Sequence, residues 1–164
     1  MGVVSALAIQ GNNSLEPTGL ATPHRTTASP KPTVSPTPPP VPPNSGSGKR
    51  EVYSLSHNRV WVVPKSGSPV ATFTVTPGTV LAKPGTYLVS KRRPTGVGGD
   101  SKRIEHVVYF EFRASTWVAF SAAIDDSISK PDPKLHTGAI RGHRADISKI
   151  WNNTVVGSTV VVVE

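Results

Sequence analysis

Four side chains that could take part in catalysis, two hydroxyls and two imidazoles, lie between residues 121 and 143 of the sequence. Ser121 and Thr137 could act as nucleophiles, and His136 or His143 could serve as the base that a hydroxyl nucleophile needs. Such a nucleophile also needs oxyanion donors, and the Gly-x-Ser-x-Gly signature of one large hydrolase class is absent around Ser121. The pattern therefore favours ordinary turn and strand residues and leaves a hydroxyl-based enzyme as an alternative.

The same segment contains a potential set of metal ligands. His136, His143 and Asp146 could bind a metal ion if one helix carried all three near one face. Gly138 and Gly142 interrupt such a helix, because glycine is a poor helix former. We therefore interpret the histidines as solvated loop residues and predict neither a metal site nor a cofactor.

Composition narrows the chemistry further. None of the 164 residues is cysteine, which excludes disulfides, thiolate metal sites and cysteine nucleophiles. The net charge of +8 attracts anionic polymers through a long-range, salt-sensitive field. The charge alone does not choose among nucleic acid, a membrane surface and anionic cell-wall polymers. The aromatic patterns that mark single-strand nucleic-acid binders are missing, so we predict no nucleic-acid partner.

Much of the positive charge surrounds one glycine-rich stretch. Residues 92–102 are predicted to form a mobile loop, and 96–102 lack the spacing of a phosphate-binding Walker motif. Five basic residues flank the glycines: Lys91, Arg92, Arg93, Lys102 and Arg103. The stretch is a candidate contact surface for an anionic polymer, and a simple solvated face is the alternative.

The N-terminal third differs in composition from the rest. Residues 1–10 are apolar but too short to span a membrane, and we interpret them as the remnant of a signal or anchor segment or as a frayed terminus. Ten of the 17 prolines fall in residues 11–48, among many Ser and Thr residues. Such a segment buries too little apolar surface to fold, so the sequence predicts a disordered linker and a domain at 49–164.

Residues 49–164 have the pattern of a mainly β domain. Short apolar runs of alternating pattern are separated by turn residues, which predicts strands at 59–63, 70–75, 86–90, 105–112, 116–123 and 159–163. One helix is predicted late in the chain, because Ile147, Ile150 and Trp151 share a helical face. Asp146 or Ser148 is expected at its N-terminal end.

The order of these segments resembles the L,D-transpeptidase (YkuD-like) catalytic domain. That family carries Ser-His-Gly-Cys-Ile-Arg before a short helix, and this chain has His-Thr-Gly-Ala-Ile-Arg at 136–141. The segment Lys-Pro-Gly-Thr-Tyr at 83–87 is similar to the family's Thr-Pro-x-Gly-x-Tyr/Phe. Phe-Ser-Ala at 120–122 takes the place of the family's Ile-His-Gly. The family nucleophile and two histidines are thus replaced here by Ala139, Thr137 and Ser121.

The resemblance implies a β-sandwich-like fold with one short C-terminal helix. It also implies a ligand-binding groove formed by Tyr87, His136, Gly138 and Arg141. The Ala139 side chain has no heteroatom and cannot form the acyl-enzyme of cysteine transpeptidation. The resemblance thus implies a degenerate relative, with Ser121, Thr137 and Ala139 at vestigial catalytic positions.

The expected function is binding of peptidoglycan or a cell-wall partner, without catalysis. The expected location is outside a bacterial membrane, secreted or anchored near it by an N-terminal segment. A divergent transpeptidase or hydrolase with a hydroxyl nucleophile is one alternative. A basic β-rich interaction module is the other, and the sequence leaves the oligomeric state open.

Overall fold

The computed structural model describes residues 38–164, so the predictions for residues 1–10 and for the linker up to residue 37 lie outside the described part. Within 38–164 the chain forms nine strands and one helix, and the mainly β prediction is confirmed. Their bounds are β1 Arg50–Ser54, β2 Arg59–Val63, β3 Ala71–Thr74, β4 Gly85–Leu88, β5 Lys91–Val97, β6 Arg103–Arg113, β7 Thr116–Ala123, β8 Gly138–Arg141, α1 Arg144–Asn153 and β9 Thr159–Val163.

The strands form two sheets. The first has the order β3-β2-β1-β9-β4 and the second the order β5-β6-β7-β8. Neighbouring strands are antiparallel except for β1 with β9 and β7 with β8. The parallel β1–β9 pair joins the first and last strands of the domain, so both ends of the folded chain are held in one sheet.

One hydrophobic core joins the two sheets and the helix. Tyr53 of the first sheet packs edge-on against Phe120 of the second, with ring centroids 6.0 Å apart. Phe110 packs on Phe120 at 5.1 Å, and Ile147 and Ile150 of α1 are fully buried in the same cluster. Each such buried side chain contributes about 1.5–3 kcal/mol of hydrophobic stabilisation. The late amphipathic helix predicted from the sequence therefore exists and packs as expected.

The predicted loop at 92–102 is wrong in its first half. Lys91–Val97 is strand β5, which pairs with β6 from Lys91 opposite Tyr109 to Val97 opposite Arg103. Pro94 has no N–H, and it falls where β6 carries an irregularity around His106, whose φ is 53°. The pairing of β5 with β6 needs no backbone N–H from residue 94, so proline is tolerated inside the strand. Only the short turn that follows Val97 remains as a loop.

Helix α1 begins earlier than the sequence indicates. Its first residue is Arg144, and His143 precedes it without forming a side-chain cap. The carboxylate of Asp126 accepts the backbone N–H of Arg144 at 2.7 Å instead. The N-terminal end is therefore capped from a distant loop, which local sequence does not reveal.

The described part of the predicted linker, residues 38–48, contacts the first sheet. The indole Nε1 of Trp61 donates to the Pro39 carbonyl at 2.8 Å, and Val41 packs against the Trp61 cluster. Ser45 is buried and donates to the Pro42 carbonyl. Residues 39–45 thus cover the outer face of this sheet rather than extending away from it.

Candidate functional site

Strand β8 is held by close backbone packing on both sides. A Cβ on Gly138 would overlap the Trp117 carbonyl, and a Cβ on Gly78 would overlap the Thr137 carbonyl. Thr76 and Arg141 exchange two backbone hydrogen bonds of 2.7 Å. Glycine is required at both positions because only its lack of a side chain permits this approach. The four residues of β8 therefore have fixed positions.

A cleft lies over the face of the second sheet that points away from the shared core. Its volume is about 240 Å³. Its floor is apolar and is formed by Ile104, Val107, Tyr109 and Ala119. Polar side chains, among them Ser121, His136 and Thr137, line its walls, and an apolar floor with placed polar groups is typical of a ligand site.

The three predicted vestigial positions all line this cleft. Ser121, Thr137 and Ala139 come together there because β7 and β8 are neighbouring parallel strands. The Thr137 hydroxyl accepts the Ala139 N–H at 3.2 Å, and Ser121 is 1% exposed. Ala139 presents a methyl group to the cleft, which cannot act as a nucleophile.

The candidate bases have other partners. His136 lines the cleft, and its Nε2 must donate to the Ala114 carbonyl at 2.5 Å, because a carbonyl only accepts. His143 contacts Asp126 at 3.3 Å. Within 38–164 neither ring forms a hydrogen bond with the Ser121 or Thr137 hydroxyl. The nucleophile–base pair of the hydroxyl-enzyme alternative is therefore not assembled in this arrangement.

A serine–histidine contact that sequence reasoning missed occurs on the β1–β2 turn. His57 Nδ1 lies 3.0 Å from Ser54 Oγ. Ser54 is fully buried and also donates to the Glu164 carbonyl at 3.0 Å. A substrate cannot reach this hydroxyl, so the contact has a structural role.

An aromatic shelf borders the cleft. We use this name for Tyr109, Phe112 and Trp117 together with Lys91. Trp117 packs edge-on against Tyr109 at 5.9 Å and at a tilt of 58° against Phe112 at 5.2 Å. The Lys91 ammonium lies 4.5 Å from the Tyr109 centroid and 4.6 Å from the Trp117 centroid. Phe112 is 60% exposed, so the shelf presents apolar surface with one positive charge to solvent.

The five basic residues do not form one continuous free patch. Lys91 lies on the aromatic shelf, whereas Arg92 lies 3.6 Å from the Trp151 centroid and donates to the Trp151 carbonyl at 2.6 Å. Lys102 donates to Ser127 Oγ at 2.8 Å. Arg93 and Arg103 are exposed. Alternation along β5 separates Lys91 from Arg92, because successive strand residues point to opposite faces.

The predicted groove residues also separate. His136 and Gly138 line the cleft, and Arg141 lines a smaller cavity that adjoins Ala139. Tyr87 lies on β4 of the other sheet, where its ring packs on Phe110 at 5.7 Å and its hydroxyl donates to the Lys83 carbonyl at 2.9 Å. Burial, followed by the nearby Glu111 carboxylate, raises the pKa of Tyr87. The structure does not bring Tyr87 to the cleft.

Two further features bear on ligands and membranes. In the described part of the chain, no three His, Asp or Glu side chains come close enough to hold a metal ion. No helix formed by residues 38–164 is both long and apolar enough to cross a membrane.

Comparison with known proteins identifies the fold. No protein-family model and no curated protein matches this chain. An L,D-transpeptidase from Xylanimonas cellulosilytica superposes with a TM-score of 0.55 at 20% identity, covering 74% of this chain and 63% of that one. L,D-transpeptidase 1 of Mycobacterium tuberculosis gives a TM-score of 0.53 at 16% identity, covering 73% and 63%. An L,D-transpeptidase from Mycobacterium smegmatis gives 0.56 at 14% identity, covering 73% and 60%.

The chain thus spans less than two thirds of these solved structures. At such low identity the comparison concerns fold alone. The two sheets, the late helix and the short β8 strand together constitute the L,D-transpeptidase fold.

Proposed function

We propose that this chain is a binding-only domain of L,D-transpeptidase fold that acts outside the bacterial membrane and binds peptidoglycan. The observation that carries the proposal is the cleft itself. Its floor is apolar, and at its edge stands Ala139 in place of a nucleophile. Since the chain has no cysteine, no other residue can supply the thiol.

The aromatic shelf supports a cell-wall ligand. Sugar rings have apolar C–H faces that stack on exposed aromatic rings. Phe112 is exposed, and the half-buried Trp117 lies beside it at the cleft. The Lys91 ammonium adds attraction for the carboxylates of wall peptides. A glycan strand on the shelf would place its attached peptide over the cleft.

Co-sedimentation with purified peptidoglycan sacculi tests the proposal. The full chain is expected to pellet with the sacculi, less so at high salt, and to leave the muropeptides unchanged. Ala139→Glu should lower the bound fraction at least about tenfold, because it puts a charge over an apolar floor. Ala145→Glu, on the exposed first turn of α1, carries the same charge change and should bind like the parent chain.

Two results would contradict the proposal in different ways. Equal sedimentation of both glutamate variants would show that the cleft is not the binding site. Muropeptides with new cross-links or released peptides would show turnover.

A hydroxyl-based transpeptidase or hydrolase is the second candidate, because Ser121 and Thr137 both line the cleft. Turnover that Ser121→Ala or Thr137→Val abolishes would establish it.

The third candidate is a basic interaction module that binds anionic polymers without using the cleft. The exposed Arg93 and Arg103 are the observation in its favour. Salt-sensitive binding that these two residues control, and that Ala139→Glu does not affect, would identify this mode.

A further inference from the structure

A second cavity lies next to the cleft, along the edge of β8 that faces the turn at 76–78. It is enclosed by the turn at 76–78, the loop at 127–131 and the tip of the β5–β6 hairpin. Ala139 and Thr137 line both cavities, so the two adjoin each other. The space is about 20 Å³, enough for one water molecule but not for a larger group.

Arg141 lines this cavity, and not all of its N–H donors have hydrogen-bond partners. Arg141 is only 6% exposed, and its Nε has no hydrogen-bond partner among residues 38–164. Its charged partner is Asp100, with a single contact of 3.2 Å from Nη2 to Oδ2. A guanidinium binds a carboxylate best through two parallel N–H bonds. The present contact therefore leaves a donor of a buried cation unsatisfied, which is costly.

Asp100 reaches Arg141 from a short turn. The turn closes with a hydrogen bond of 2.8 Å from the Gly98 N–H to the Lys102 carbonyl, and Asp100 Oδ1 accepts the Lys102 N–H at 3.3 Å. A Cβ on Gly98 would lie 2.5 Å from Asp100 Oδ1 and 3.3 Å from Arg141 Nη2. The Asp100–Arg141 contact thus depends on glycine at position 98. The Asp100 side chain is 25% exposed, so it can swing into solvent when the turn moves.

We propose that Arg141 is the binding site for the free C-terminal carboxylate of a peptide, and that Asp100 occupies this site until the ligand displaces it. The wall-peptide identity of the ligand rests on the proposed function. A peptide lying along the cleft passes Ala139 and reaches Arg141 directly. The Ser127 and Ser129 residues also line the cavity and can donate to the incoming carboxylate. With Asp100 in place the cavity admits only water, so the site is closed by default.

Only molecules in which the site is open can bind the carboxylate. The apparent affinity therefore equals the intrinsic affinity multiplied by the open fraction. Removing the Asp100 contact should therefore raise affinity for carboxylates without altering Arg141. Asp100→Asn removes the competing charge and keeps the side-chain shape. Gly98→Ala displaces Asp100 sterically and leaves every charge unchanged, but its methyl group would also crowd Arg141 Nη2 at 3.3 Å, so Asp100→Asn is the decisive variant. Gly96→Ala is the matched control on the same hairpin, because its Cβ would meet nothing closer than 3.9 Å.

The probe is diacetyl-L-lysyl-D-alanyl-D-alanine, compared with its C-terminal amide by titration calorimetry on the full chain. The parent chain should bind the acid about tenfold more tightly than the amide, the scale of one charge-assisted hydrogen-bonded contact. Asp100→Asn and Gly98→Ala should each tighten binding of the acid about three- to tenfold and leave the amide unchanged. Gly96→Ala should match the parent chain, and Arg141→Gln should remove the preference for the acid.

Equal affinity for acid and amide in the parent chain and in both opened variants would overturn the inference. Unchanged acid affinity in Asp100→Asn and Gly98→Ala would overturn the closing role of Asp100. If Arg141→Gln does not fold, the acid–amide comparison in the other variants still decides. Sacculus binding without acid preference would refute this inference and leave the proposed function intact. A preference for the acid without binding to sacculi would refute the proposed function and leave this inference intact.

Discussion

A buried carboxyl in the first sheet gives the sharpest stability prediction. Glu51 of β1 is 0% exposed, and its Oε1 accepts the Asn153 amide at 2.7 Å. Its Oε2 has no partner in the described chain. Burial raises the pKa of Glu51 from 4.5 to about 8, although the Asn153 hydrogen bond and the Lys49 charge lower it in part. Glu51 is therefore mainly protonated in the folded protein at pH 7.

The sign of the pH dependence follows from that shift. The folded state holds this proton more tightly than the unfolded chain, so the contribution of Glu51 to stability is most favourable below about pH 4.5. It declines as the pH rises and levels off above about pH 8. The slope between these values is about 1.4 kcal/mol per pH unit, which gives a loss of about 3 kcal/mol by pH 7.

Glu51→Gln should recover this loss, because the amide never ionises and its oxygen can still accept from Asn153. Urea unfolding should show variant and parent within about 1 kcal/mol of each other at pH 5, and a gain of about 4 kcal/mol for the variant at pH 8. Glu105→Gln is the matched control, because the hydrogen bond from Arg144 lowers the pKa of Glu105. It should cost at most about 1 kcal/mol, with no change between pH 6 and pH 8. A difference between Glu51→Gln and parent that stays constant from pH 5 to pH 8 would refute the reasoning.

Two other substitutions test the packing of the fold. Gly138→Ala should lower stability by about 1–3 kcal/mol in thermal unfolding, because the new methyl overlaps the Trp117 carbonyl, whereas Gly96→Ala should have little effect. Trp61→Phe removes the hydrogen bond to the Pro39 carbonyl and should cost about 1 kcal/mol in urea unfolding. It should also speed proteolysis within residues 38–48, and unchanged cleavage there would argue that this segment does not depend on Trp61.

Most of the strands are predictable from the sequence because their residues alternate. Thr116–Ala123 and Thr159–Val163 have the same bounds in the structure as in the prediction. Burial alternates within the 70–75 segment as well, since Phe73 and Val75 are buried and Thr74 is exposed. Period-two burial leaves a direct trace in composition, so these elements need no knowledge of their partners.

The elements that were missed depend on partners distant in sequence. Strand β1 contains the polar residues Arg50 and Glu51, and Ser45, Gly48 and Asn153 supply hydrogen-bond partners to their buried side chains. Strand β8 has four residues and begins with glycine, so it has no strand pattern of its own. Pairing with β7 and close packing against the turn at 76–78 make it a strand.

Part of the candidate site was predictable for a different reason. Ser121, Thr137 and Ala139 were identified through the resemblance, and the parallel pairing of β7 and β8 does bring them to one cleft. The aromatic shelf was not predicted, because Tyr109, Phe112 and Trp117 belong to two strands whose register depends on the β6 irregularity. Residue type alone does not show which aromatic side chains share a face across such a bulge.

The segment 138–141 shows which residues the fold requires and which it does not. Gly138 is fixed by the Trp117 carbonyl, Ile140 is 2% exposed in the shared core, and Arg141 is paired with Asp100. These are the positions at which the chain matches the L,D-transpeptidase pattern. Ala139 points into the cleft, where packing places little demand on the side chain, and there the chain departs from the pattern. Packing therefore accounts for Gly138 and Ile140. It does not account for Arg141, whose Nε has no hydrogen-bond partner among residues 38–164, and this is the residue that the proposed carboxylate site would use.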